Sequence, residues 1–244
     1  MKVVHKTYTG RVREHNEDYV FVDKRRGIFI LADGMGGHQA GEIASELAVK
    51  TAYSFLVPHF LKGGKGGLES ETDINKLLLS AMFAANDAVL NKAKTDLNLM
   101  GMGTTLIIVI ARNNVAHICH VGDSRVYLIR DGIKQITKDH TLGDYLVEHK
   151  LMTREQVPPQ KWHTLTQAVG TSKDLAPELN PINLLEGDIL LLCSDGLTDM
   201  LSDGEIQHVI QQYSKNLNKT VNNLIKEANG KGGRDNISIV LIQI

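Results

Sequence analysis

The sequence predicts an α+β fold in which antiparallel β-sheets are covered by helices. Three observations carry that prediction. Strand-like runs come in clusters, two long helical patterns follow one another directly, and the strand–helix–strand alternation that builds a parallel sheet is missing. Mid-chain, apolar runs are separated by turns too tight for anything but antiparallel pairing.

The first cluster is VVHKTYTG, YVFVD and GIFILAD, three short β-like runs. From Gly41 the period changes: Ile43, Leu47, Val49 and onward to Leu56 recur at helical spacing as far as about Phe60. Residues 61–72, LKGGKGGLESET, read as a flexible loop, and its glycines are not read as a phosphate site because no Gly-Lys-Ser/Thr helix start follows them. A second helix runs from about Asp73 to Asp96, with Leu77, Leu78, Ala81, Ala84, Ala85, Ala88 and Val89 on its apolar face. Then TTLIIVIA turns through Asn113-Asn114 into VAHICHVG, and RVYLIR turns through Asp131-Gly132 into IKQIT. About 139–170 is polar and expected to be mobile, with TREQ at 153–156 fitting a capping box. The strand DILLLCS leads into short helices, one opened by the capping box SDGE at 202–205; a helix near 217–229 and the strand ISIVLIQI follow.

Four Asp-Gly pairs punctuate the chain, and the ordinary meaning of such a pair is a turn. Asp131-Gly132 is flanked by strand patterns and reads as a hairpin; Asp203-Gly204 lies in a helix start. Asp33-Gly34 and Asp195-Gly196 differ, since each ends a run apolar enough to be buried on both faces and is followed by helix. A carboxylate there is costly unless something compensates it. Several converging carboxylates would raise one another's pKa, whereas a divalent cation removes the conflict. Asp123 after an apolar strand, Asp235 just before one, and Glu17 with Asp18 ahead of YVFVD extend the set. Carboxylate and carbonyl oxygens suit Mg²⁺ or Mn²⁺, not zinc. His117 and His120 of HICH face opposite sides of a strand and are read as packing residues. GMGTTL lacks the later glycine of a dinucleotide-binding loop and opens a strand.

At 244 residues the chain is read as one domain, 1–244. A net charge of −1 gives no electrostatic reason to expect nucleic acid or an anionic membrane as partner. No run reaches the ~18 apolar residues of a membrane span, and the polar start lacks a signal-peptide core, so a cytoplasmic protein is expected, monomeric by default. Cys119 and Cys193, inside apolar runs, are expected to be buried thiols.

Taken together, TGRVREHNED, ILADGMGGHQAGEIAS, GMGTTL, VGDSRVYLIRDG, LTQAVG, LLLCSDGLTD and GRDNISIVL resemble, in order and over about residues 5–244, the metal-dependent Ser/Thr protein phosphatases of type 2C in their compact bacterial form. The resemblance implies a four-layer α-β-β-α sandwich, two antiparallel sheets between pairs of helices, with a flap at about 139–165. It implies hydrolysis of phosphoserine and phosphothreonine by a water activated by two Mn²⁺ or Mg²⁺ ions, reversing a bacterial Ser/Thr kinase. By position, Asp33 would bridge both ions, Asp195 and Asp235 would complete the first, and the Gly34 carbonyl with Glu17 and Asp18 would serve the second. Asp123 and Asp195 would support a weaker third ion, and Arg13 would bind phosphate.

Two departures stand out. The histidine that many eukaryotic members of that family carry two residues after the bridging aspartate is Met35 here, leaving His38 or a water on the metal as candidates to protonate the leaving group. The flap reads PPQKWHTLTQAVG, with Trp162-His163 and no proline after the histidine; altered substrate preference is expected, with Trp162 a packing residue or a peptide contact. A catalytically dead binding module is the rival reading, and the intact acid set argues against it.

Overall fold

A computed structural model describes residues 1–36, 40–61 and 71–244, Leu61 by its backbone alone. His38 and most of the 61–72 loop lie outside these residues. The chain opens with β1 (Lys2–Tyr8), β2 (Asp18–Asp23) and β3 (Ile28–Met35), then α1 (Ala40–Leu61) and α2 (Glu71–Ala93). β4 (Gly103–Thr104), β5 (Leu106–Arg112), β6 (Val115–Val121), β7 (Arg125–Ile129) and β8 (Ile133–Gln135) follow. After α3 (Leu142–Glu148) and the short β9 (Glu178–Leu179) and β10 (Ile182–Asn183) come β11 (Ile189–Cys193), α4 (Asp195–Thr198), α5 (Asp203–Tyr213), α6 (Leu217–Gly230) and β12 (Ile237–Gln243).

Every ladder is antiparallel. One sheet has the order β1-β12-β11-β7-β8, the other β10-β6-β5-β3-β2, with β4 beside β3 and β9 beside β6. The apolar strands are buried on both faces, and alternation divides each between two cores. In β5, Leu106, Ile108 and Ile110 pack against α1 and α2, while Ile107 and Val109 face the other sheet. In β11, Ile189, Leu191 and Cys193 pack with α5 and α6, while Leu190 and Leu192 meet Ile107 and Val109 in the layer between the sheets. The expected four layers result. Cys119 and Cys193 are buried and free, their thiols pushed up to about 12 by burial.

Asn113 and Asn114 take φ of 51° and 59°, the left-handed pair that a two-residue hairpin demands. Elsewhere the structure corrects the sequence reading. α2 begins at Glu71 and stops at Ala93, because Asp96 leaves the helix to cap the 3₁₀ turn Leu97–Leu99, its Oδ1 accepting from Asn98 N at 2.9 Å. The region expected to be mobile contains α3, capped by Thr141, whose Oγ1 accepts from Asp144 N at 3.1 Å, and two 3₁₀ turns. The capping box at Thr153 and Gln156 forms on the first of these turns. One apolar turn among many charges is too short to register as a period. Trp162 packs inside this segment: its ring lies under the Arg154 guanidinium at 4.5 Å, and a Cβ on Gly143 would come within 2.5 Å of it.

Candidate metal centre

One end of the sandwich gathers the acidic residues. The far end of β3, the start of β2, the β6–β7 connection, the β11–α4 junction and the segment entering β12 meet around a cleft of about 600 Å³. Arg13, Glu17, Asp33, Gly34, Asp123, Asp195 and Asp235 line it, and buried Asp18 sits beside Asp33, its partner across the β2–β3 ladder.

Asp33 is fixed through its backbone. Its N–H donates to Thr105 Oγ1 at 2.9 Å, and its carbonyl accepts from Thr105 N and from Thr104 Oγ1, both at 2.8 Å. With every backbone group taken, the carboxylate is left to the cleft. Gly34 donates its N–H to Glu17 O at 3.1 Å; a Cβ here would lie 2.1 Å from Gly41 O and 2.7 Å from Glu17 O, so only glycine lets the three segments meet. Asn236 holds the N-terminal segment, donating to Thr9 O and His15 O and accepting from Glu17 N at 2.7 Å. Arg13, carried by that segment, donates to Asp235 Oδ2 at 2.6 Å.

The electrostatics are those of an uncompensated acidic pocket. Loss of water, then repulsion from Asp18, Asp195, Asp123 and Asp235, holds Asp33 well above the usual carboxylate range. Asp195 is raised likewise by desolvation and then by Asp123, Asp199, Asp235 and Asp18. Burial pushes Asp18 up to about 6 and, with Asp139 adding repulsion, Asp123 up to about 7. Among the described residues, Asp18 Oδ1 and Asp195 Oδ1 are buried without a hydrogen-bond partner, although Asp18 Oδ2 accepts from Ser194 Oγ at 2.7 Å. Such orphaned acceptors, with carboxylates that disfavour one another's ionisation, fit divalent cations with a preference for oxygen. The residues present can hold such ions.

Three residues of this centre went unassigned in the sequence. Asp199 follows Asp195 by one helical turn, and His163 Nδ1 lies 3.4 Å from Asp199 Oδ2, so His163, Asp195 and Asp199 offer ligand atoms within 4.8 Å of one another. The spacing in SDGLTD carried that signal, since residues four apart share a helix face. Thr105, the Asp33 anchor, had no local sign. Met35 also lines the cleft.

Comparison with known proteins defines the class. The family model for protein phosphatase 2C matches residues 9–230. The serine/threonine phosphatase stp of Listeria innocua is 35% identical, across 98% of this chain and 94% of its own. The S. agalactiae serine/threonine phosphatase superposes with a TM-score of 0.88 at 34% identity, covering 100% of this chain and 99% of that one. The catalytic domain of serine/threonine protein phosphatase PstP, in complex with two manganese ions, gives 0.81 at 34% identity over 98% and 96%. The fold and the acidic cleft are those of a metal-dependent phosphatase. The chain belongs to the protein phosphatase 2C family.

Proposed function

We propose that this chain hydrolyses phosphoserine and phosphothreonine in proteins, with two Mn²⁺ or Mg²⁺ ions as cofactor and a third held more weakly, and that it reverses the work of a Ser/Thr kinase. The observation that supports it best is the convergence of Asp18, Asp33, Asp123, Asp195 and Asp235, two of them with orphaned oxygens, beside an arginine. The likeness to phosphatases named for serine and threonine supports the substrate class.

In this reading Asp33, Asp195 and Asp235, with Asp18, Glu17 and the Gly34 carbonyl, would hold the two principal ions, and Asp123, with Asp195, would hold the third. When bound, such cations would supply a water of lowered pKa as nucleophile and neutralisation of charge on the phosphoryl oxygens. Thr104 and Thr105 keep Asp33 from turning away, and Arg13 offers its planar fork to two phosphoryl oxygens. Arg13 already lies against Asp235, so the phosphate it binds is presented directly to the acidic cluster. The bond from phosphorus to the serine or threonine oxygen would break as the water oxygen bonds, with no covalent bond to the chain. The proton given up by the water would balance the one taken up by the leaving oxygen. Met35 has no proton to give that oxygen.

A cytoplasmic monomer fits this reading; no helix among the described residues is long and apolar enough to cross a membrane. The test is phosphate release from a phosphothreonine peptide with Mn²⁺ and with chelator, with Asp195→Asn as control and free phosphothreonine as rival substrate. Metal-dependent release from the peptide, lost in Asp195→Asn, is expected. Equal rates on the free amino acid would point to a small-ester phosphohydrolase, and no release at all to a binding module.

A further inference from the structure

Outside the acidic cleft, His120, His140 and Glu178 bring ligand atoms within 4.8 Å of one another. The hydrogen bonds argue against a cation there. His140 Nδ1 accepts from Gly122 N at 3.3 Å, so the neutral ring carries its proton on Nε2, which faces Glu178 Oε1 at 3.4 Å. No lone pair of this ring is left for a metal. His120 stacks on it with centroids 4.8 Å apart and is bonded through Nε2 to Lys138 O at 2.8 Å.

What the ring holds is the residue next to Asp123. Gly122 has φ of +105°, and a Cβ on it would stand 2.6 Å from the Thr105 side chain. It is pressed against the threonine that anchors Asp33. His140 grips this glycine twice, since its own N–H donates to Gly122 O at 3.0 Å while Nδ1 takes the Gly122 N–H. On its other side the His140 carbonyl accepts from Thr166 N at 2.8 Å, Leu142 N donates to Thr164 O at 2.7 Å, and Thr141 bridges Leu165. His140 therefore joins both ends of the 141–165 segment to the loop bearing Asp123.

We propose that His140, through its paired grip on Gly122, is a positioning residue that sets Asp123 for cation binding and locks the root of the flap to the same joint. The inference rests on the phosphatase reading above. Loosening the grip lets Asp123 swing, so the weakest-bound cation is lost first and the flap loses its register over the cleft.

The experiment compares three variants. His140→Asn places an acceptor where Nδ1 stands; His140→Gln places its polar group where Nε2 stands; His140→Leu supplies neither. Mn²⁺ affinity is read by electron paramagnetic resonance of free Mn²⁺ and by calorimetry, KM and kcat on a phosphothreonine peptide at saturating Mn²⁺, and folding by circular dichroism. Asn is expected to bind the weakest Mn²⁺ within about threefold of wild type, while Gln and Leu weaken it roughly tenfold or more and raise KM; the two tightest ions change little. Were Leu to bind every Mn²⁺ as wild type does, or Asn and Gln to fall equally, the proposal is overturned and the ring is a packing group only. Should Leu fail to fold, the contrast between Asn and Gln decides alone. Wild-type protein that binds no Mn²⁺ or releases no phosphate defeats the phosphatase reading instead, so the two failures are distinct.

Discussion

Arg13 and Asp235, 222 positions apart, are joined by a 2.6 Å hydrogen bond from Nη2 to Oδ2 at the mouth of the acidic cleft. The bond raises the guanidinium's already high pKa, so Arg13 remains charged throughout the working range. Its side chain is 51% exposed, and an exposed pair of this kind contributes little to stability. In the proposed mechanism its value lies in aim: the bond holds the fork at the edge of the carboxylate cluster, where a phosphate would be bound.

Arg13→Ala should therefore separate binding from folding. Losing a charge-assisted bidentate contact, at about 1.5–3 kcal/mol, lowers kcat/KM on a phosphothreonine peptide roughly 10- to 100-fold. The melting temperature should stay within about 2 °C of wild type. Arg13→Lys keeps charge without the fork and should recover only part of the loss. Steady-state kinetics beside thermal melts check both; a large fall in melting temperature would assign Arg13 a structural role.

Gly34→Ala tests how closely the site is built. The new methyl would meet Gly41 O at 2.1 Å and Glu17 O at 2.7 Å, and neither backbone oxygen can rotate aside. The start of α1 and the Glu17 segment must move apart, taking with them the carbonyl proposed as a metal ligand. Destabilisation of about 3 kcal/mol or more is expected, with Mn²⁺ affinity falling in whatever protein folds. Urea unfolding and Mn²⁺ titration measure the two effects.

The parts of this centre that sequence could reveal are those written locally. Asp33 and Asp195 stood out because apolar runs ended in Asp-Gly with helix beyond, where a hairpin would need a second strand. The burial of β3 and β11 on both faces was legible in their unbroken apolar runs. Thr105 and Asn236 were not, since their role is to hold backbone groups that the chain brings together only on folding: Asn236 reaches Thr9 O and His15 O across more than 220 positions. The histidines of HICH read as packing residues, but that the ring His120 packs on is His140, twenty residues on, is not written locally. Asp199 is legible by its helical spacing from Asp195, which places both on one face of the turn that follows β11.

Asn236→Ala follows from the same geometry. Asn236 is buried and makes three side-chain hydrogen bonds to the segment bearing Arg13 and Glu17. Truncation leaves the Glu17 N–H and two carbonyls without partners, at about 1–3 kcal/mol for each group that stays buried. A loss of about 2–4 kcal/mol by denaturant unfolding is expected, with KM for phosphopeptide rising because Arg13 is no longer anchored. A KM equal to wild type would show that the segment is held by other contacts.

The acidic centre itself makes a prediction about pH. Folding raises Asp18 to about 6 and Asp123 to about 7, and lifts Asp33 and Asp195 well above their ordinary value, chiefly by burial. The folded state then binds more protons than the unfolded one, so the stability of chelator-treated protein falls as pH rises from about 4 through about 7. Burial lowers the pKa of His117, His120 and His140, which pulls the other way below about pH 6.5, so the wild-type curve alone is ambiguous. Asp33→Asn resolves it, because the variant keeps the histidines and loses one of the mutually repelling carboxylates. Without cations, Asp33→Asn should melt above wild type, by a margin that widens between pH 5.5 and pH 8. With Mn²⁺ the order should reverse. Ions at a hundred times their Kd add about 2.7 kcal/mol per site to wild type, roughly 5–10 °C, and less to a variant missing the bridging ligand. Melts at pH 5.5, 6.5 and 8, with chelator and with Mn²⁺, test this directly. A margin that is flat with pH would mean these carboxylates do not repel one another in the folded chain, and the electrostatic case for the metal centre would fail with it.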